Sequence, residues 1–213
     1  MKTVTTSIKK NHFTMHPSGA MYWVEQKALL IADVHLGKIT HFRKHGSAVP
    51  EQAIENNFTK LNDVITYFKP EVLYFLGDLF HSYLNIEWEY FKNWVVQCNF
   101  EIILIEGNHD IISESHYKAL GIEVLNKKEI DGFLLTHHPQ ENPTSNFIFC
   151  GHIHPSVTLK GVGKQKLKLP CFFKSHHQLI LPAFGDFTGT FELKHQEEDH
   201  EVYIIADNEV VLI

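Results

Sequence analysis

Four short blocks of this chain combine carboxylate, imidazole and carboxamide side chains with glycine. They are Asp33-Val-His35, Gly77-Asp78, Gly107-Asn108-His109-Asp110 and Gly151-His152-Ile-His154. Hard oxygens together with imidazole nitrogens suit Mn²⁺, Fe or Zn²⁺. One carboxylate, with two oxygens and several lone pairs, can bridge two such ions. On extended backbone, Asp-x-His and His-x-His would put both side chains on one side, so each pair would offer two ligands to one small volume. Glycines beside them let the backbone turn sharply. Taken singly, each block is weak: Gly-Asp is a common turn, and Gly-Asn-His-Asp can be a loop held by its own side chains. Their joint presence, each after an apolar run, points to metal-assisted ester hydrolysis.

Those apolar runs are the elements that must position the blocks. Residues 21–24 and 28–32 read as strands joined by a tight turn, the second ending at Asp33. Residues 50–68 read as a helix with Pro50 in its first turn and an apolar face of Ala53, Ile54, Asn57, Phe58, Leu61, Val64, Ile65 and Phe68. A buried strand at 71–76 ends at Gly77-Asp78. A helix at 86–98 turns Trp88, Phe91, Trp94 and Val95 inward, spacing that suits a core more than a base-stacking platform. A strand at 101–105 ends at Gly107, and a short helix covers 115–120. Strands then follow at 122–125, 127–130, 133–136, 147–150, 156–159, 171–173, 178–181, 202–206 and 209–213. Asp131-Gly132 and Asp207-Asn208 read as two-residue hairpin turns. Alternation of strand and helix favours a parallel sheet, and the later run of strands a mixed or antiparallel one. Two sheets packed face to face with helices outside satisfy both. Sites in open α/β sheets lie at the carboxyl ends of strands, so neighbouring strands would bring the blocks together. His137-His138-Pro139 follows an apolar strand and would add a fifth element.

With 213 residues and no linker or repeat, the chain reads as one domain over 1–213. The three cysteines are odd in number and lack Cys-x-x-Cys spacing, which excludes a disulfide framework or a zinc ribbon. Cys98 and Cys150 read as buried thiols. Residues 1–11 are polar, without the apolar core of a signal peptide, and no apolar run approaches a membrane span. A soluble, cytoplasmic protein is expected. The formal net charge of -6 gives no global pull toward nucleic acid. One stretch runs the other way: residues 142–185 hold no Asp or Glu but carry Lys160, Lys164, Lys166, Lys168 and Lys174. It could neutralise a phosphate backbone, or be a flexible lysine-rich hairpin around Gly161 and Gly163. The acidic run at 197–201 reads as a solvated turn.

The ordered set of blocks resembles the calcineurin-like metallophosphoesterase superfamily, over the stretch from Asp33 to His154. The resemblance implies an α/β (α+β) four-layer sandwich, with two mixed β-sheets flanked by helices. A finer resemblance, over almost the whole chain, is to the bacterial ligase-associated DNA-damage-response metallophosphoesterases. It is carried by Asp33-Val-His-Leu-Gly-Lys38, Gly77-Asp-Leu-Phe-His81, Thr136-His-His-Pro139, Gly151-His-Ile-His-Pro155, Leu169-Pro-Cys-Phe172 and Leu181-Pro-Ala-Phe-Gly185.

Carried over residue by residue, the pattern implies one divalent ion on Asp33, His35, Asp78 and His154. A second would sit on Asp78, Asn108, His137 and His152, with Asp78 bridging. Mn²⁺ is the expected metal, with Fe or Zn²⁺ as alternatives. His137 is preferred to His138 as ligand, because Pro139 anchors the motif. His109 would donate a proton to the leaving group or a phosphoryl oxygen. Many members continue Gly-Asp-x-x-Asp-Arg, whereas this chain has His81 and Ser82 there, which argues against a protein phosphatase of the common type. Lys38, His41, Arg43, Lys44 and His45 follow the first ligand pair, and Arg43 is the only arginine. Lys38, Arg43 and His81 are the candidate substrate contacts. The implied function is a dinuclear-metal phosphodiesterase acting on DNA, a repair nuclease associated with a ligase and a helicase. A nucleotide or small-molecule phosphoesterase is the alternative enzyme, and a metal-binding scaffold the alternative non-enzyme. The oligomeric state stays open, with a homodimer among the options.

Overall fold

The computed structural model describes residues 1–44, 46, 52–194 and 199–213. The first half builds one sheet and its helical cover. In chain order it runs β1 (Val4–Ile8), β2 (Asn11–Met15), β3 (Met21–Trp23), β4 (Ala28–Ile31), α1 (Lys38–Lys44), α2 (Gln52–Phe68), β5 (Val72–Leu76), α3 (Ile86–Gln97), β6 (Glu101–Ile105), α4 (Glu114–Lys118) and β7 (Glu123–Leu125). The sheet order is β1-β2-β3-β4-β5-β6-β7, antiparallel as far as β4 and parallel from β4 to β7. Each parallel step is bridged by helix, the crossover such pairs require.

Both faces of the parallel half are covered, so its strands are continuously apolar. Leu29, Ile31, Leu73, Phe75, Ile102 and Leu104 face the helices and meet Ile54, Phe58, Leu61 and Val64 of α2 and Trp88, Phe91 and Trp94 of α3. Their alternates Leu30, Tyr74, Leu76, Ile103 and Ile105 face the second sheet. The expected first turn at Pro50 lies outside the described residues, as does His45. α3 is capped by Asn85, whose Oδ1 accepts from the Glu87 N–H at 2.8 Å, and it ends at Cys98, where the backbone turns extended.

The second half supplies β8 (Lys127–Ile130), β9 (Phe133–Thr136), β10 (Phe147–Cys150), β11 (Pro155–Lys160), β12 (Lys166–Lys174), β13 (Gln178–Ile180), β14 (Phe191–Glu192), β15 (Glu201–Ala206) and β16 (Glu209–Leu212). Their order is β14-β11-β12-β13-β10-β9-β8, with β15 against β12 and β16 against β15. Asp131 and Gly132 (φ 49 and 80) and Asp207 and Asn208 (φ 48 and 62) form the two expected hairpin turns. The strand expected over 171–173 is longer, because it continues outward from residue 166 paired to β11.

The sheets pack through an aromatic knot. Phe13 lies 5.3 Å from Trp23, 5.3 Å from Phe133 and 4.7 Å from Phe149, ring centre to ring centre. A third apolar cluster, with Ile148, Cys150, Cys171 and Val202, occupies the other face of the second sheet. The helical cover is uneven: α1 to α4 all belong to the first sheet, and the second half contributes one 3₁₀ turn at Val162–Lys164 among the described residues. The result is two mixed sheets face to face with the strand ends of β4, β5 and β6 side by side. The parallel pair β9 and β10 ends opposite them.

Candidate metal centre

Past the end of β4 the chain stays beside the segment after β5. The Asp33 N–H donates to the Gly77 carbonyl at 3.1 Å, His35 to Asp78 at 3.0 Å, and Leu36 to Leu79 at 2.8 Å. The backbone there is not extended, contrary to the geometry expected from Asp-x-His and His-x-His. Asp33, His35, Asp78, His152 and His154 all have positive φ, between 50 and 69. A left-handed conformation disfavours each by about 1–2 kcal/mol for a side chain with a Cβ. Backbone strain of this kind persists where the surroundings over-determine it, and it concentrates at functional sites.

The strained turns aim their side chains at one volume. His154 Nε2 lies 3.2 Å from Asp33 Oδ1 and 3.2 Å from His35 Nε2. His35 Nε2 is 3.9 Å from Asp78 Oδ2. On the other side of Asp78, Oδ1 lies 3.4 Å from His137 Nε2. That nitrogen is also 3.1 Å from Asn108 Oδ1 and 3.2 Å from His152 Nδ1. The two oxygens of Asp78 thus face two clusters, which is what a bridging carboxylate must do. Asp33, His35, Asp78 and His137 are buried.

Lone pairs oppose lone pairs in this arrangement, and that is the test of whether cations fit. His137 Nδ1 faces the Leu76 carbonyl at 2.9 Å, and His154 Nδ1 faces the Gly189 carbonyl at 3.0 Å. A carbonyl oxygen can only accept, so those Nδ1 atoms carry protons, and a ring in that tautomer presents its Nε2 lone pair inward. Inward such lone pairs meet carboxylate and carboxamide oxygens, which are acceptors too. Asp33 Oδ1 is buried and accepts no hydrogen bond of good geometry, and His35 Nδ1 is likewise buried without a partner. Burial, with the nearby His154, Lys38, His81 and His109, pushes His35 down to about 2, which fixes it neutral. Burial and the adjacent His137 and His138 also push His152 down. At His154 burial acts downward too, but the Asp33 carboxylate 3.2 Å away outweighs it and the net direction is up. A proton there is the alternative to a cation between the two groups. The residues fit a pair of divalent ions by donor chemistry and by convergence.

A family model for calcineurin-like phosphoesterases matches residues 27–205, which takes in all these blocks. The chain belongs to that family. Among solved structures, the nuclease MPE of Pseudomonas putida is 28% identical over 100% of both chains, with a TM-score of 0.84. A protein of unknown function from Aquifex aeolicus matches at 20% identity over 60% of this chain and 78% of its own, with a TM-score of 0.42. A predicted phosphoesterase from Streptococcus pneumoniae matches at 14% over 86% and 91%, with a TM-score of 0.35. Both scores are too low to carry inference. No curated protein sequence matches significantly.

For a calcineurin-like phosphoesterase, the residues around the centre divide by reach. The His109 N–H donates to Asp78 Oδ1 at 2.9 Å, while its ring stands over the site, 45% exposed, with Nε2 4.0 Å from Asp78 Oδ2. His81 lies beside it, ring centres 4.2 Å apart, and 5.1 Å from the ring of His35. Lys38, at the start of α1, is half-buried. Burial lowers its ammonium, and the Asp78 charge opposes that. Arg43 is exposed on the same helix. His138 is exposed, but its ring lies 4.3 Å from that of His152. With His137 and His152 it forms a third group able to hold an ion, beside Asp33-His35-His154 and Asp33-Asp78-His137.

Supporting residues hold these loops, and Glu87 among them carries no sequence signal. Asp110 closes the Gly-Asn-His loop: its carboxylate accepts from the Phe80 N–H at 3.0 Å and the Gly107 N–H at 2.9 Å. Burial pushes its carboxyl up to about 7, against the pull of those two donors. Glu87, fully buried on α3, reaches across to the start of α1. It accepts from the N–H of Gly37 at 2.6 Å, and from the N–H and hydroxyl of Thr40 at 2.9 and 2.7 Å. Asp33 Oδ2 accepts from the His152 N–H at 2.9 Å, tying the two sheets together. Gly77 and Gly151 permit this closeness. A Cβ on Gly77 would stand 2.1 Å from His137 Nδ1, and one on Gly151 2.5 Å from Asp33 Oδ2.

Proposed function

We propose that this chain is a dinuclear-metal phosphodiesterase acting on nucleic acid, a DNA nuclease serving repair, folded as one domain over 1–213. The observation that carries the metal-dependent chemistry is the convergence of inward lone pairs from Asp33, His35 and His154 on one side of Asp78, and from Asn108, His137 and His152 on the other. The nucleic-acid substrate is supported by likeness to the Pseudomonas putida nuclease. The repair role, and association with a ligase and a helicase, are supported by the resemblance of the sequence blocks to the ligase-associated group. Three free cysteines, two of them buried, fit the cytoplasm.

When bound, divalent ions such as Mn²⁺ supply Lewis acidity toward phosphoryl oxygens and make water a nucleophile at neutral pH. The chain's own groups do the rest. Asp33, His35, Asp78 and His154 would hold one ion, and Asp78, Asn108, His137 and His152 the other. The half-exposed His109 ring sits where it can give its proton to the leaving oxygen as the P–O bond breaks. Lys38, paired in field with Asp78, neutralises charge on the phosphoryl group. His81, against His109, limits how far that ring can swing.

The test is hydrolysis of bis-p-nitrophenyl phosphate and of single-stranded DNA by Mn²⁺-loaded protein. Turnover of both is expected. Absence of both from protein carrying two ions per chain would sink the reading. His109→Ala should lower kcat by roughly 10²–10⁴-fold, the range of general acid catalysis, with metal content unchanged.

A further inference from the structure

The β11–β12 hairpin projects beyond the rest of the second sheet and carries the lysines that the centre does not use. Its register pairs Lys160 with Lys166, Thr158 with Lys168, and Ser156 with Pro170. Directly paired residues share a face, and alternate residues return to it, so Lys160, Lys166 and Lys168 stand on one side. The opposite side is apolar: Val157, Leu159 and Leu169 pack on the third cluster. On the lysine side, β12 continues into Phe172, which belongs to the core between the sheets. The lysines therefore line the same side of the second sheet as the centre. All three are exposed.

The link to the centre is short. His154 Nδ1 faces the Gly189 carbonyl, and Lys168 Nζ donates to the neighbouring Thr190 carbonyl at 2.7 Å. Lys166 and Lys160 follow outward. Like charges directly opposite each other weaken a strand pair, so the arm is built against its own stability. On a chain of net charge -6, the cationic face needs a partner that is itself anionic and extended. Glu192, beside Ser156 on β14, is the carboxylate at the root of that face.

We propose that this arm tracks the sugar-phosphate backbone of the DNA single strand whose scissile phosphate lies in the metal centre. The proposal rests on the nuclease reading and assigns it a polymer-binding surface outside the reacting atoms. Lysine contacts of this kind position a strand and carry no sequence information, so the arm confers affinity without base preference.

Binding of a fluorescent phosphorothioate oligothymidylate to the Mn²⁺-loaded full chain, followed by anisotropy against salt, tests this. For a single strand the slope of log K against log salt is about 0.7 per phosphate neutralised. The triple variant Lys160→Gln, Lys166→Gln, Lys168→Gln should therefore lower the slope by about 2, and Lys166→Gln alone by about 0.7. A control triple variant, Lys92→Gln, Lys118→Gln, Lys127→Gln, removes the same charge from lysines already paired with Glu89, Glu114 and Glu129. It should keep the parent slope. An arm variant with an unchanged slope, or a control variant that loses as much, overturns the proposal. Cleavage of unmodified single-stranded oligothymidylate by the parent protein reports on the nuclease reading separately, because strand scission is scored without reference to the arm.

Discussion

At the residue scale, the decisive contrast is between two adjacent histidines. His137 is buried, has its Nδ1 engaged by the Leu76 carbonyl, and aims Nε2 at Asp78 and Asn108. His138 is exposed, and it meets the centre through His137 and His152, its ring edge-on to theirs at 4.7 and 4.3 Å between centres. Burial together with His137 lowers His138, although Asp33 and Asp78 pull the other way. On the proposed two-ion reading, His137→Ala should lose one of two Mn²⁺ ions and nearly all turnover, while His138→Ala keeps both. Metal content per chain by mass spectrometry checks this. Loss of an ion from the second variant alone would exchange the two assignments.

At the element scale, α1 is held by a residue fifty positions away. Removing the Glu87 carboxylate leaves the N–H groups of Gly37 and Thr40 without their acceptor. A buried, charge-assisted set of that size is worth on the order of 3 kcal/mol. Glu87→Ala should lower the melting temperature. Glu87→Gln keeps the shape but turns an amide NH₂ toward one of those donors, so KM should rise through Lys38 more than kcat falls. A variant with unchanged KM would limit Glu87 to stability. The turn after β2 offers a pH test. His16 Nδ1 accepts from the Ser18 N–H at 3.0 Å, and burial, with Lys60, pushes the imidazole down to about 4. Above pH 6.5 it is neutral folded or unfolded, and its stabilisation is complete. As pH falls from 6.5 to about 4, the unfolded chain gains a proton that the native state refuses. Up to about 3 kcal/mol is then lost. Urea unfolding at pH 7.5, 5.5 and 4 (values chosen to span roughly that window) should show the loss in the parent and less of it in His16→Gln.

These elements also show what the sequence made legible. The buried strands and their ligand-bearing ends could be read because local apolar runs stop at Gly-Asp or Asp-x-His. β1 and β2 could not: Val4-Thr-Thr-Ser-Ile8 and Asn11-His-Phe-Thr-Met15 are largely polar, and their turn at Lys9-Lys10 takes φ of 47 and 67 without a glycine or asparagine. α1 has no acidic residue in its first turn, and Glu87 supplies that charge from another helix. Nothing local to Glu87 announces a partner at Gly37. The left-handed turns at the ligand pairs were equally hidden, since the non-glycine side chains there adopt positive φ under tertiary constraint.

At the scale of the whole molecule, the centre is a seam. Asp33, His35, Asp78 and Asn108 come from the ends of the first sheet, and His137, His152 and His154 from the second. In the absence of a cation, the hydrogen bond from the His152 N–H to Asp33 and the core between the sheets, with Phe13, Phe133 and Phe149 in it, oppose the repulsion of the facing lone pairs. Ions bound there would join the sheets and bind the native state alone. A ligand at 100 times its dissociation constant then adds about 2.7 kcal/mol. For a chain of this size that is roughly 5–10 °C in melting temperature. Chelation should remove the increment and Mn²⁺ restore it. Asp78→Asn, which weakens both ion sites at once, should abolish the shift, whereas His109→Ala should retain it. Phe149→Ala tests the reciprocal coupling. Its cavity destabilises by about 3–5 kcal/mol, and if the knot sets the spacing of the two ligand groups, Mn²⁺ affinity falls as well. A Phe149→Ala protein that is less stable but binds Mn²⁺ as tightly as the parent would show that the ligand loops hold their geometry without the core between the sheets.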